Sequence, residues 1–481
     1  MKKLIAFIII AVTVIFSAPV YGCAKNADRC SYEITASYDE EERTLTGRVD
    51  YTFFNNTDNQ ISDLKFNLWG NAYRQGASYS PVSAAYSAQA YYAGVNYGYM
   101  TVENVENCAG WDVGGGDENI LIVNLTAPVY PDESVKISIN YCLKLALVNH
   151  RTGVTENTVN LGNFYPVLCI YTREGFSETP YVSCGDPFVS ECADYVVNLT
   201  VPEKYTVAAS GKLVSESKAA GNKILKYKLS SARDFAAVMS DKFSVVSENA
   251  DGKQIYYYYY DDSNPQTTLS TAADSFKYFS DQFGEYAYPA LSVVQTGFCM
   301  GGMEYPALTM ISDRLDASGA LYTVVHENAH QWWYAMVGND QANCGWQDEG
   351  LAEYSCLMFF ENYPRYGVLR SGMLGSATKS YRAFYSVYNQ IFGDADTTMN
   401  RKLTEYVSDY EYTNIAYNKG LLLFESVRTC LGDDKFKAAL KEYFKDNKFK
   451  VASPEAMIAP FAKRGDVEGI FTSFIEGKII I

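Results

Sequence analysis

The hydrophobic pattern of the chain changes near residue 240, and this change limits the folds that the chain can adopt. From about residue 32 to residue 240 apolar residues alternate along short segments separated by turns, for example between Leu45 and Phe54. After residue 318 they recur with helical spacing. Many short strands without intervening helices favour packed sheets, so the first half is predicted to be a sandwich-like all-β domain.

The sequence therefore predicts a multi-domain α+β protein. The N-terminal β domain is expected at 23–240. A second domain is expected at 241–481, mixed α/β to about residue 365 and helical from about 366, where it ends in a helical bundle. A hairpin with Asp251-Gly252 as its turn is expected between Phe243 and Tyr260. Helices are expected at about 268–283, 320–337, 347–361, 418–431, 433–446 and 454–463.

Composition excludes two broad classes. About half of the 481 residues are apolar (48%), which argues against a disordered chain. The formal net charge of -16 argues against a nucleic-acid partner, because such a partner requires a basic surface that neutralises phosphates.

The first 22 residues predict an export signal. Lys2 and Lys3 precede an apolar stretch that runs from Leu4 to Ile15, which is too short to span a bilayer comfortably. Cys23 follows directly, and this arrangement resembles a bacterial lipoprotein signal in which that cysteine carries the lipid. The expected location is the cell surface through a lipid anchor at Cys23, with ordinary secretion as the alternative.

Two of the three histidines lie in His326-Glu327-Asn328-Ala329-His330, inside a strongly helical stretch. Residues four apart share one helix face, so both imidazoles can reach one ion, and Glu327 lies beside that face without being a ligand. The alternative is two helical histidines that make ordinary hydrogen bonds. The pattern in so histidine-poor a chain predicts one zinc ion per chain.

A catalytic zinc site typically has three protein ligands. The remaining histidine, His150, lies far upstream, so a carboxylate on a following helix is expected as the third ligand. Glu349 fits, because the 18 residues between it and His330 allow the helix to end and a second one to begin. Glu353, one turn later, is expected to accept the free N–H of a ligand histidine. Without a metal, the two glutamates would be ordinary acids in the first turns of a helix.

These motifs resemble those of the aminopeptidase N family of zinc metallopeptidases, which includes leukotriene hydrolase. The zinc signature continues through Glu349-Gly350-Leu351-Ala352-Glu353-Tyr354. Gly301-Gly302-Met303-Glu304-Tyr305 resembles the family's G-x-M-E-N segment, and Tyr417-Asn418-Lys419-Gly420 resembles its Y-E-K-G segment. The three motifs occur in the family's order, and the resemblance covers about residue 32 to the C-terminus.

The resemblance implies a thermolysin-like zinc catalytic domain that cleaves the N-terminal peptide bond of peptides through a zinc-activated water. Glu327 would be the general base and Tyr417 the oxyanion donor. Glu304 would bind the substrate's free amine, and the backbone of Gly301, Gly302 and Met303 would lie along the substrate. It also implies a short form of the family without the C-terminal helical superstructure, and therefore a more open site or one covered by a partner.

The chain departs from the family pattern at Tyr305, where the family has Asn, and at Asn418, where it has Glu. Many members also bind the substrate amine with a Gln or Glu of the β domain, which is expected here between Asn163 and Glu191. Two other functions stay open. A thermolysin-like zinc endopeptidase shares the metal motif but does not need the Gly301–Glu304 segment, and a surface binding lipoprotein could keep the fold without catalysis.

Overall fold

The structure, a computed structural model, describes residues 29–477. The predicted signal segment at 1–22 and the predicted lipid anchor at Cys23 lie outside these residues, so export and anchoring stay predictions. No helix within 29–477 is both long enough and apolar enough to cross a membrane.

The first half of the molecule consists of β-sheets, and buried and exposed residues alternate along strands such as β1 and β13. The largest has seven strands in the order β15-β16-β13-β1-β2-β7-β4, with β1 and β13 parallel and their other neighbours antiparallel. Two four-stranded sheets have the orders β10-β3-β6-β5 and β14-β17-β9-β8. One face of β1 and of β13 therefore lies in the core, as the alternating sequence predicts.

The strands of this half are β1 (Ser31–Asp39), β2 (Thr44–Phe54), β3 (Ile61–Asn67), β4 (Tyr99–Glu106), β5 (Gly110–Gly114), β6 (Ile120–Val129), β7 (Ser134–Lys144), β8 (Thr152–Val154), β9 (Val159–Leu161), β10 (Val167–Leu168), β11 (Tyr171–Thr172), β12 (Gly175–Phe176), β13 (Ala193–Pro202), β14 (Thr206–Ala209), β15 (Lys212–Ala219), β16 (Asn222–Ala232) and β17 (Ala237–Ser240). A short helix, α1 (Ser87–Ala90), interrupts the segment between β3 and β4.

The second half begins with a five-stranded sheet in the order β18-β19-β20-β22-β21. Its strands are β18 (Ser244–Ala250), β19 (Lys253–Tyr259), β20 (Ala290–Thr296), β21 (Gly302–Met303) and β22 (Leu308–Ser312). The β18–β19 hairpin turns at Asp251 and Gly252, whose φ angles of 51° and 80° suit a tight hairpin turn. The short strand β21 forms one edge of this sheet.

The helices are α2 (Pro265–Phe283), α3 (Ala317–Ala329), α4 (Gln341–Cys344), α5 (Trp346–Asn362), α6 (Arg370–Phe392), α7 (Asp409–Tyr412), α8 (Gly420–Leu431), α9 (Asp433–Asn447), α10 (Pro454–Ala462) and α11 (Glu468–Ile475). A short parallel pair, β23 (Gly338–Asn339) with β24 (Val451–Ala452), joins α3's end to the C-terminal helices. The predicted α+β class is confirmed. The division at residue 240 stays a prediction, although β17 ends at Ser240 and β18 begins at Ser244.

The helix predicted over 320–337 ends early, so its predicted length was wrong. The last α-helical residue is Ala329, and His330 caps the helix. The backbone then turns back, with Ala335 N–H donating to the His330 carbonyl at 2.9 Å. This turn brings the Trp333 carbonyl to 2.9 Å from Nδ1 of His330, so a side chain–backbone contact accompanies the end of the helix.

A π-helix at Thr413–Lys419 connects α7 directly to α8, where the sequence predicted an ordinary helix from residue 418. Its wider winding precedes a very close helix contact. A Cβ on Gly420 would lie 2.7 Å from the Cα of Gly350, so only glycine lets α8 approach α5 at this point.

Buried polar contacts join the two halves of the molecule. Arg233, fully buried between them, donates to the backbone oxygens of Ser190 and Tyr334, each at 2.7 Å. Nearby, Asn163 accepts a hydrogen bond from the Tyr305 hydroxyl (2.8 Å) and donates one to Asp234 (2.7 Å). Each half therefore supplies partners for polar groups that the other half buries.

The buried carboxyl of Asp234 is expected to make stability depend on pH. Burial raises its pKa from the ordinary 3.8 to about 7, although Tyr165 and Asn163 donate hydrogen bonds that oppose the shift. A raised pKa in the folded state favours the protonated form. The contribution of this carboxyl to the free energy of unfolding is therefore complete below pH 4 and is lost as the pH rises through 7. Relative to an Asp234→Asn variant, wild type should lose on the order of 4 kcal/mol across that interval.

Thermal unfolding of both proteins between pH 4.5 and 8 measures this difference. The Tm of Asp234→Asn relative to that of wild type should rise steadily with pH. The other titrating groups are common to both proteins and do not contribute to this difference. A gap that does not change with pH would contradict the shifted pKa.

Candidate metal centre and active site

Three predicted ligands meet at one point. The Nε2 atoms of His326 and His330 lie 3.0 Å apart, and Oε2 of Glu349 lies 3.3 Å and 3.2 Å from them. All three side chains are buried. Within residues 29–477, they form the one group of three such side chains found close enough to share a metal ion.

The triangle of ligand atoms fits zinc. Atoms about 2.0–2.1 Å from a tetrahedral ion lie about 3.3 Å from one another, close to the observed separations. Two imidazole nitrogens and one carboxylate are also a typical donor set for a catalytic zinc ion. The His326–His330–Glu349 set therefore accommodates one zinc ion per chain.

The three ligand residues lie on two helices, α3 and α5, or directly at their ends. Both histidines lie at the C-terminal end of α3, and Glu349 lies in the first turn of α5. Although burial alone would raise it, the two neighbouring imidazoles lower the pKa of Glu349 to about 2, so its carboxylate stays ionised.

Glu327 lies on the same helix and points into a cavity of about 240 Å³ that the ligands also line. Its Oε2 is buried, and no other described residue hydrogen-bonds to it. Burial and the neighbouring Glu304 raise the pKa of Glu327 well above its usual value. A Cβ on Gly302 would lie 2.3 Å from Oε1 of Glu327, so glycine is needed where β21 passes this carboxylate.

Tyr417 reaches the same cavity from the π-helix. Its ring stacks on that of His326, with centroids 5.7 Å apart and an interplanar angle of 14°. Burial and the nearby Glu349 carboxylate raise the pKa of Tyr417 well above its usual value, so the phenol keeps its proton at neutral pH. The Gly350–Gly420 contact brings the helix that carries Glu349 against the segment that carries Tyr417.

The predicted substrate segment divides between cavity and core. Gly301, Gly302 and Glu304 line the cavity, whereas Met303 is buried in the sheet, where it pairs with Met310. Glu304 is 3% exposed, and burial followed by the charge of Asp186 raises its pKa to about 8. Because β21 is an edge strand, the backbone of Gly301–Met303 can pair with an extended peptide.

Asp186 is the site residue that sequence reasoning did not find. It lies in the loop between β12 and β13, inside the 163–191 interval in which a β-domain residue was expected, and it lines the cavity with Glu304. Arg151 forms a buried ion pair with it. The expected residue was a Gln or Glu, and the interval contains Glu174, Glu178 and Glu191, so only the fold shows that the acid in the cavity is Asp186.

The structure accounts for the two departures from the family motif. The hydroxyl of Tyr305 points away from the cavity to Asn163, and a Cβ on Gly162 would lie 2.0 Å from it, so a glycine makes room for the tyrosine. Asn418 donates to Asn414 at 3.1 Å within the π-helix.

His150 does not join the ligands. It is buried, and its Nδ1 lies 2.5 Å from the Tyr73 hydroxyl.

Residues 267–474 match the profile of the Peptidase family M1 domain. Aminopeptidase M1-C from Oryza sativa subsp. japonica is 22% identical over 288 residues, which are 56% of this chain and 32% of that protein. The chain spans about a third of the length of the curated relatives it matches. An M1 zinc metallopeptidase from Deinococcus radiodurans has a similar fold, with a TM-score of 0.67, 16% identity, and coverage of 95% of this chain and 96% of that one. A mutant of that metallopeptidase was solved bound to a Tyr-Ser-Ala substrate.

The fold is similar to that of the M1 zinc metallopeptidases, and a ligand set of two histidines and one glutamate is typical of a catalytic zinc site. The match of residues 267–474 to the Peptidase family M1 domain, the similarity to aminopeptidases and the similar fold together support the resemblance to the aminopeptidase N-like family.

Two substitutions should separate metal binding from catalysis. Glu349→Ala removes one of three ligand atoms and should lose zinc on dialysis, whereas Glu327→Gln removes no ligand atom and should retain about one zinc per chain. Metal analysis of the purified proteins beside wild type gives the measurement. Stoichiometric zinc of unchanged affinity in Glu349→Ala would exclude Glu349 as a ligand.

Proposed function

We propose that the protein is a zinc-dependent aminopeptidase that hydrolyses the N-terminal peptide bond of peptides. The observation that carries this proposal is the pair of buried carboxylates, Glu304 and Asp186, at the wall of the cavity that the ligand triad lines. Two acids in this position favour a cationic group, and the free α-ammonium of a peptide supplies one.

A peptide would bind with its backbone along the edge strand β21, where Gly301 and Gly302 leave room for main-chain pairing. The ammonium group would lie between Glu304 and Asp186, so that the first peptide bond reaches the ligand triad. Binding of the amine by buried carboxylates would thereby limit cleavage to one residue from the N-terminus.

A zinc ion held by His326, His330 and Glu349 supplies Lewis acidity, which makes a carbonyl more electrophilic and a water molecule more acidic. Oε2 of Glu327 would take the proton of the attacking water and later deliver it to the leaving amine. A pKa raised above the ordinary carboxyl value makes the Glu327 carboxylate a stronger base than an unperturbed glutamate. The Tyr417 phenol would donate a hydrogen bond to the developing oxyanion.

The first test compares amino-acid amides and short peptides with their N-acetylated counterparts, with and without a zinc chelator. Free amines should be cleaved and the chelator should abolish cleavage. Acetylation should lower kcat/KM at least about 30-fold, because it leaves buried carboxylates without a cationic partner. Glu327→Gln serves as the inactive control for contaminating peptidases.

The outcomes separate the alternatives. Efficient cleavage of acetylated peptides would instead indicate a thermolysin-like endopeptidase. A wild-type protein that binds zinc but cleaves neither series would favour a non-catalytic surface binding protein.

Asp186 should contribute to amine binding. Asp186→Asn should raise KM for free-amine substrates about 10- to 100-fold with a smaller change in kcat, because the lost charge contacts the bound amine in substrate and transition state alike. Glu174→Gln, which removes an acid from the same interval but away from the cavity, is the matched control and should behave like wild type.

Removing Asp186 alone leaves Arg151 buried without its ion-pair partner, which destabilises a protein by about 3–5 kcal/mol. The double variant Arg151→Met/Asp186→Asn removes both charges and separates this folding effect from binding. A stable double variant with wild-type KM for free amines would exclude Asp186 from amine binding.

A further inference from the structure

The two histidines of the ligand triad are held in different ways. A ligand imidazole must keep its second ring nitrogen hydrogen-bonded so that the other nitrogen faces the ion. For His330, the partner of Nδ1 is the Trp333 backbone carbonyl at 2.9 Å. For His326, Nδ1 is buried and forms no hydrogen bond within the described residues, and Oε1 of the Glu353 side chain lies 3.5 Å from it. His330 is therefore oriented by the backbone, whereas the nearest acceptor for Nδ1 of His326 is a side-chain carboxylate.

Glu353 is itself held by a tyrosine. The Tyr322 hydroxyl donates a hydrogen bond to Oε2 of Glu353 at 2.5 Å, while Oε1 of the same carboxylate faces His326. Tyr322 lies on α3 one turn before His326, and Glu353 lies on α5 one turn after Glu349. A short chain of contacts thus runs from Tyr322 through Glu353 to the first ligand histidine.

Tyr322 is suited to act as a permanent donor. Its ring stacks on Phe360 of α5, with centroids 5.6 Å apart and an interplanar angle of 17°. Burial and the neighbouring Glu353 raise the pKa of Tyr322 well above its usual value, so the hydroxyl keeps its proton over the physiological range. The stacking fixes the ring, and the hydroxyl can satisfy only one of the two carboxylate oxygens.

We propose that Tyr322 is a positioning residue, which orients the Glu353 carboxylate toward Nδ1 of His326 and thereby raises the zinc affinity of the site. This inference rests on the zinc site of the proposed function. It adds a residue outside the ligand triad whose positioning role acts through Glu353, although both residues also line the cavity of the site.

The test measures zinc affinity by competition with a chromogenic chelator, without any turnover. Tyr322→Phe keeps the stacking on Phe360 and removes only the hydroxyl, so it should raise the zinc Kd about 10-fold. Glu353→Ala should raise it at least as much. In the Glu353→Ala background, Tyr322→Phe should have no further effect, because the two residues act through one chain of contacts.

A matched control is available on α5. The Tyr354 hydroxyl donates to Oε2 of Glu425 at 2.9 Å, so Tyr354→Phe removes an equivalent buried tyrosine–glutamate hydrogen bond that does not face a ligand. This variant should bind zinc like wild type. Equal zinc affinity of wild type and Tyr322→Phe, or losses that add in the double variant, would overturn the proposal. A wild-type protein that fails to cleave peptides while the zinc measurements agree would refute only the aminopeptidase function.

Discussion

The crowding of carboxylates around one cavity is the constraint on which the rest of the site depends. Asp186, Glu304, Glu327 and Glu349 all line the cavity, and Arg151 is the one guanidinium among the residues that line it. Buried carboxylates at such density repel one another unless cations enter from outside. Zinc at the ligand triad and an ammonium group at Glu304 and Asp186 would each supply one. The same imbalance of charge thus favours both the metal and the proposed substrate.

Both halves of the molecule are needed to build this arrangement. The loop that carries Asp186 belongs to the β-rich half, whereas the triad, Glu327 and Tyr417 belong to the second half. Arg233 and the Tyr305–Asn163–Asp234 contacts hold the halves together through buried polar groups that are costly to separate. Tyr305, which departs from the family motif, therefore has a role in this junction and not in the cavity.

The sequence predicted what local geometry determines. His326 and His330 share a helix face by spacing alone, and Glu349 follows from the need for a third ligand on the next helix. Asp186 could not be predicted, because its position depends on how a loop of the β-rich half folds over a cavity built by residues more than a hundred positions away. The early end of α3 was equally hidden, since Trp332 to Val337 continue a helical pattern while the backbone turns back. The π-helix before Gly420 also leaves no periodic signal.

The position of Tyr417 depends on the number of residues in that π-helix more than on which residues they are. An α-helix turns by about 100° per residue, so removing one residue between Thr413 and Ala416 would rotate the later positions against α5 by a large fraction of a turn. Substitutions that keep the π-helical winding leave the direction of the phenol unchanged, whereas a single-codon deletion would redirect it. Sequences descended from this one are therefore expected to tolerate replacements here far more readily than changes in length.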